Sequence, residues 1–218
     1  MRLYRTMSKK NQDYHDYVIK DGELIADFDN MYKNCSDPWP ENEMDMNNNC
    51  ASLRLKQLIT QYNFTKVLSL GSGKGNHLDW LTRNLKNSEV TGVEISRTAV
   101  IQSGKDFPKI NFIAKPVLDY LQDTSEEFDI IIIRECIWYL LDELDEILSI
   151  FREKYAGAYL AIELTFYNDQ KYGLESFSGM DDFINKYQFQ IIELVKNHKS
   201  KNNSFDLKSG YLMLFSKI

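Results

Sequence analysis

The sequence predicts an α/β fold, a doubly wound and mostly parallel seven-stranded sheet with helices on both faces. Three observations predict it. From Thr65 onward, short apolar runs alternate with amphipathic stretches, the pattern of strands buried on both faces beneath helices. A glycine-rich turn follows the first apolar run. The last two runs are joined without any helical pattern, so they pair as an antiparallel hairpin while the earlier strands connect by right-handed crossovers.

The segment 1–52 shows no such alternation and reads as an N-terminal cap or lid ahead of a domain spanning 53–218. Within it the polar stretch PENEMDMNNNC reads as a loop, and LRLKQLITQY (53–62) as a helix entering the first strand. The strands are KVLSLG (66–71), VTGVEI (90–95), NFIAK (111–115), FDIIIIR (128–134), AYLAIELTF (158–166), FQIIELV (189–195) and YLMLFSK (211–217). All are rich in β-branched and aromatic residues. Between them, apolar residues at three- and four-residue spacing predict helices over Gly75 to Leu85, Arg97 to Asp106, Leu141 to Tyr155 and Met180 to Tyr187. In the third, Leu144, Ile147, Leu148 and Phe151 share one face.

The chain's 218 residues, 43% of them hydrophobic, suffice for one domain with a full core. Its longest apolar run, Ile130 to Ile133, is broken by Asp129, Arg134 and Glu135, well short of the roughly 20 residues a membrane span needs. No basic and then apolar leader opens the chain, so a soluble, cytoplasmic protein with no membrane partner is expected. Cys35, Cys50 and Cys136 have neither disulfide-framework nor zinc spacing and read as reduced thiols. His15 and His198 sit in polar segments and read as surface residues, and no metal ligand set assembles. A net charge of -6 weighs against affinity built on phosphate neutralisation. Oligomeric state is not legible.

VLSLGSGKGNH places Gly71, Gly73 and Gly75 between the first strand and the next helix, where absent Cβ atoms let a ligand approach the backbone. Glu94 ends the second strand 21 residues beyond Gly73, and its acceptor-only carboxylate suits both hydroxyls of a ribose. A Walker loop fails because Gly75 and Asn76 follow Lys74 where Ser or Thr is needed. Nicotinamide binding asks for a glycine where Asn76 stands, which leaves NAD the runner-up cofactor.

With these residues in view, LSLGSGKG and GVEIS resemble the glycine motif and acidic strand end of Rossmann-like (class I) S-adenosylmethionine-dependent methyltransferases, over roughly Leu53 to Ile218. FDNMYKNCSDPWP and RECIWYL further resemble the nodulation-type sugar N-methyltransferases. The resemblance implies strand order 3-2-1-4-5-7-6 and S-adenosyl-L-methionine as cofactor, leaving as S-adenosyl-L-homocysteine. It implies that Leu70, Gly71, Ser72 and Gly73 face the methionine part. Glu94 and Ile95 would flank ribose and adenine, and Pro116 and Val117 the adenine ring. Ser69 departs from the usual acidic start of the glycine motif, and Pro116 from a frequent adenine-facing Asp.

Arg134, Glu135 and Cys136 emerge at the carboxyl edge of the fourth strand, beside the transferable methyl, so Arg134 and Glu135 join the cofactor contacts. Glu135 is the leading catalytic residue, to orient an acceptor or take its proton, with Tyr139 as hydrogen-bond partner, or else both cap or support the next helix. His77 is a base or a helix-end polar contact. Phe28, Tyr32 and Trp39, with Asp37, form a lid over cofactor and substrate, or else pack as a simple N-terminal core. The acceptor expected is a small molecule, a sugar, amino sugar or phosphorylated precursor of a cell-surface glycan, in polysaccharide biosynthesis. Two alternatives stand beside it. One is a nucleic-acid or protein methyltransferase, weakened because RECIW stands where a base-amine motif would lie. The other is a non-catalytic adenosyl-binding module.

Overall fold

A computed structural model describes residues 14–39, 42–167, 170–201 and 204–218. Residues 1–13 of the expected cap and the side chain of His198 lie outside the described residues. A 3-10 turn at Tyr14–Asp16 leads to a small hairpin of β1 (Ile19–Lys20) and β2 (Glu23–Leu24), then to helices α1 (Phe28–Asn34), α2 (Glu43–Asn48) and α3 (Cys50–Gln61). The alternating region follows as β3 (Lys66–Leu70), α4 (Asn76–Thr82), β4 (Glu89–Glu94), α5 (Arg97–Asp106), β5 (Asn111–Ala114), α6 (Val117–Asp123) and β6 (Ile130–Arg134). A 3-10 turn at Ile137–Tyr139 precedes α7 (Leu144–Lys154), β7 (Tyr159–Phe166), α8 (Met180–Tyr187), β8 (Gln190–Lys201) and β9 (Ser204–Lys217).

The seven-stranded sheet runs β5-β4-β3-β6-β7-β9-β8, the expected order. β3 pairs parallel with β4 and β6, and β6 with β7, while β9 lies antiparallel between β7 and β8. Ile130 to Ile133 of β6 are all buried because helices cover both faces. On one face Leu68, Leu70, Ile131 and Ile133 pack with Leu121 of α6, Phe151 of α7 and Phe183 of α8. On the other, Val67, Ile130, Ile132 and Ala161 pack with Leu55 and Ile59 of α3 and Leu78 and Leu81 of α4.

Local chemistry sets the helix ends. Ser96 caps α5 by accepting from Ala99 N, and Asn49 caps α3 by accepting from Ala51 N and Ser52 N. In α7 the buried stripe Leu144, Ile147, Leu148 and Phe151 is flanked by Asp145 and Glu146 in the first turn and Arg152 and Lys154 in the last, charges that suit the helix dipole.

Four expectations need correction. α6 was not foreseen, since its seven residues are too few to show a helical repeat. PENEMDMNNNC is not all loop: Glu43–Asn48 is helical, with Asn42 accepting from Asp45 N at 2.9 Å. The predicted helix from Leu141 begins only at Leu144, after the 3-10 turn. The predicted connector between the last two strands is largely strand, because β8 and β9 continue pairing through it. Among the described residues no helix is long and apolar enough to cross a membrane.

Phe183 is fully buried against Phe177, Tyr187 and Phe189. Phe183→Ala should cost about 3 to 5 kcal/mol of unfolding free energy, read from the urea midpoint at unchanged m-value.

Candidate active site

The turn after β3 is held by its neighbour strand: Gly71 N and Ser72 N both donate to Val93 O, at 2.8 and 3.0 Å. Gly71 has φ +69, and a Cβ there would stand 2.3 Å from Cys136 Sγ, so the residue must be glycine on both counts. Gly73, at φ +55, faces Tyr32 Oη, and a Cβ there would lie 3.0 Å from it. Gly75 instead precedes α4 and packs on the Phe112 ring, where a Cβ would come within 2.5 Å.

Glu94 joins the two strand ends. Gly73 N donates to Oε2 at 3.0 Å and Ser96 N donates to Oε1 at 2.9 Å. Burial raises its pKa, and the backbone N–H groups of Ser96, Gly73 and Ile95 oppose that rise. Each carboxylate oxygen keeps further lone-pair capacity for a ligand hydroxyl. Ser72 Oγ is buried against β4, where a Cβ on Gly92 would lie 2.9 Å from it.

A cavity of about 940 Å³ opens here, within the range of small-molecule sites. Gly71, Ser72, Gly73, Glu94, Ile95, Pro116 and Val117 line it, together with Arg134, Glu135, Tyr139, Thr165 and Tyr167. Glu135 sits at φ +50, a strained backbone for a non-glycine residue. Thr165 fixes it: Oγ1 donates to Oε1 at 2.7 Å and the backbone N to Oε2 at 3.1 Å. Burial pushes the phenol of Tyr139 and the thiol of Cys136 well above their ordinary ranges, so both stay protonated at neutral pH.

The N-terminal segment forms a wall of this cavity. Phe28 meets Tyr139 edge-on at 5.2 Å, and Trp39 Nε1 donates to Tyr32 Oη at 3.1 Å. Pro38 and Trp39 line the cavity. Asp29 anchors the segment on the first turn of α5, where it accepts from Ser96 Oγ at 3.0 Å and Thr98 N at 2.8 Å. Lys74 Nζ donates to Ser36 O, tying the glycine loop to the same segment.

Several expected site residues stand elsewhere. His77 does not line the cavity: it is buried, with Nε2 3.2 Å from Glu163 Oε2. Burial depresses its pKa well below the usual value, with Arg134 adding to the effect, so it is a neutral packed histidine. Leu70 lies in the core and Gly75 under Phe112, neither on the cavity wall. Asp37 is exposed and outside the lining, while its neighbours Pro38 and Trp39 face in. Asp29, Thr165, Tyr167 and Glu163 were not singled out from sequence. Glu163 alone carried a signal, a carboxylate inside the apolar run of a buried strand, which demands a partner.

Residues 67–156 match a family model described as a methyltransferase domain. No curated protein matches the chain. Among solved structures it is similar to the N-methyltransferase NodS from Bradyrhizobium japonicum WM9, at 16% identity over 82% of this chain and 98% of that one, with a TM-score of 0.60. NodS in complex with S-adenosyl-l-homocysteine aligns at 15% identity over 83% and 91% of the two chains, with a TM-score of 0.57. The methyltransferase domain of bacterial CtHen1 aligns at 17% identity over 78% and 100%, with a TM-score of 0.56. At these identities the structural likeness is one of fold, and together with the matched segment it bears out the resemblance to Rossmann-like class I methyltransferases.

Lys33 and the Thr98 N–H hold the Asp29 carboxyl far below the usual aspartate range. A depressed native pKa adds stability that is complete above the unfolded value, about 3.9, and is lost as pH falls below it. Limited proteolysis should therefore find the 14–39 segment protected at neutral pH and progressively cut below about pH 4. Asp29→Ala should loosen its docking, read as faster cutting of the segment at neutral pH than in the unaltered protein.

Proposed function

We propose that the protein is an S-adenosyl-L-methionine-dependent methyltransferase acting on a nitrogen of a small molecule, with an amino sugar as the leading acceptor class. The observation that carries the cofactor half is the Glu94 carboxylate, aimed by Gly73 N and Ser96 N beside the Gly71 to Gly73 turn. Gly71, Gly73, Glu94, Ile95, Pro116 and Val117 line one cavity, as an adenosyl amino acid laid over the turn would require. Glu94 would accept the ribose hydroxyls, while Ile95, Pro116 and Val117 would flank the adenine.

When bound, this cofactor supplies a sulfonium methyl group and leaves as S-adenosyl-L-homocysteine. The protein has then to align the acceptor in line with that methyl, exclude water and receive one proton. Glu135 is the group for the last task, since Thr165 fixes both its oxygens and each retains acceptor capacity. Tyr139, held protonated, would donate a hydrogen bond to the acceptor rather than take a proton. Phe28, Tyr32 and Trp39 would shield the reacting centre from water.

Nitrogen is favoured by the rest of the cavity lining, where the carboxylates of Asp21, Glu135, Asp142 and Glu143 stand among Tyr139, Tyr167 and Tyr172. Burial pushes the Tyr167 phenol up to about 12, so it presents a neutral ring. Carboxylates and aromatic faces attract a protonated amine and disfavour a phosphate. The description of NodS as an N-methyltransferase supports the same reading.

Thermal-shift measurements should show stabilisation by S-adenosyl-L-homocysteine and none by NAD; stabilisation by NAD alone would remove the proposal. Glu94→Ala should weaken S-adenosyl-L-homocysteine binding by about 1 to 3 kcal/mol in calorimetry.

Incubation with amino sugars, neutral sugars and sugar phosphates, read by mass spectrometry, should give methylated product from the amines only. Glu135→Gln should lower kcat on that amine by about 10²-fold or more while cofactor affinity stays within twofold.

A further inference from the structure

Below the cavity lies a buried polar cluster that the methyl-transfer chemistry does not use. Its centre is Glu163 on β7, whose side chain is fully buried. Ser52 Oγ of α3 donates to its Oε1 at 3.0 Å. Arg134 Nε and His77 Nε2 each lie 3.2 Å from its Oε2, close polar contacts that are not well-aligned hydrogen bonds, and of the two only the guanidinium is charged. Arg134 faces Glu163 directly across the parallel pair of β6 and β7.

A buried carboxylate paired with arginine is a weak device for stability, because desolvating the two charges offsets most of their attraction. Apolar residues of similar volume would fill the space at least as well. The arrangement gains a use if the arginine has work at the surface it reaches. Arg134 lines the cavity, with about a fifth of its side chain exposed (21%). It follows Ile133, and Ile133 pairs with Leu70, so Arg134 emerges beside Gly71 at the end of the turn. Its contact with Glu163 is made through Nε, and a guanidinium is a rigid planar fork of donors whose geometry suits a carboxylate. Neutral His77 brings no competing charge to the cluster.

We propose that Glu163 is a positioning residue that holds Arg134 at the cavity wall, where the guanidinium binds the carboxylate of the cofactor's amino-acid end. The inference rests on the proposed binding of an adenosyl cofactor beside Gly71. Replacing the Glu163 carboxylate would remove the contact that sets the direction of the guanidinium, so the loss falls on ligands that carry the carboxylate. A purely structural Glu163 would, on loss, weaken every nucleoside ligand alike.

Calorimetry with two ligands separates these cases: S-adenosyl-L-homocysteine, and 5′-methylthioadenosine, which keeps the nucleoside and thioether but lacks the amino-acid end. Glu163→Gln should raise the Kd for S-adenosyl-L-homocysteine about tenfold and leave that for 5′-methylthioadenosine within about twofold. Arg134→Gln should show the same selective loss, and it decides the matter alone if Glu163→Gln does not fold. Unchanged S-adenosyl-L-homocysteine affinity in a folded variant, or equal weakening of both ligands, would overturn the positioning role. Failure of the unaltered protein to bind either ligand would instead remove the proposed cofactor itself.

Discussion

The site depends on one carboxylate held by two backbone N–H groups. Glu94 ends β4 inside the protein, and a charge there is costly unless donors meet it. Gly73 N and Ser96 N meet it, one from the turn after β3 and the other from the turn before α5. The interaction therefore couples two loops that would otherwise be set only by their own strands. Ser96 also caps α5 and donates to Asp29, so the same corner carries the N-terminal segment. Sheet edge, glycine turn and cavity wall share a common anchor.

How much of this was legible follows from the physics of each element. Parallel strands buried on both faces produce apolar runs whatever their neighbours, which is why all seven strands of the large sheet stood out, down to the Ile130 to Ile133 run. α6 and α2 escaped because one or two turns leave no period to detect. The pairing of β8 and β9 through a polar stretch escaped because backbone hydrogen bonds hold a two-stranded arm without an apolar pattern.

In the candidate site, the glycine turn and Glu94 stood out because a left-handed turn restricts residue type and a carboxylate ending a buried strand demands donors. His77 was not, because order along the chain does not say which way a helical residue faces. Asn76 lines the cavity, while the next residue, turned by roughly 100° around α4, meets the sheet at Glu163. The anchoring by Asp29 was equally hidden, since its partners Ser96 and Thr98 lie 67 and 69 residues away. Such a long-range contact has no local signature.

The positive φ at Glu135 has one more consequence. Along a regular strand successive side chains alternate between the two faces, so Arg134 and Glu135 would point apart. The left-handed residue breaks that alternation, and Arg134, Glu135 and Cys136 all reach one cavity. A guanidinium, a carboxylate and a thiol are thereby delivered by three adjacent codons. Any insertion or deletion among them would rotate the whole set out of register, leaving this tripeptide far less free to vary in length than the surface loops around it.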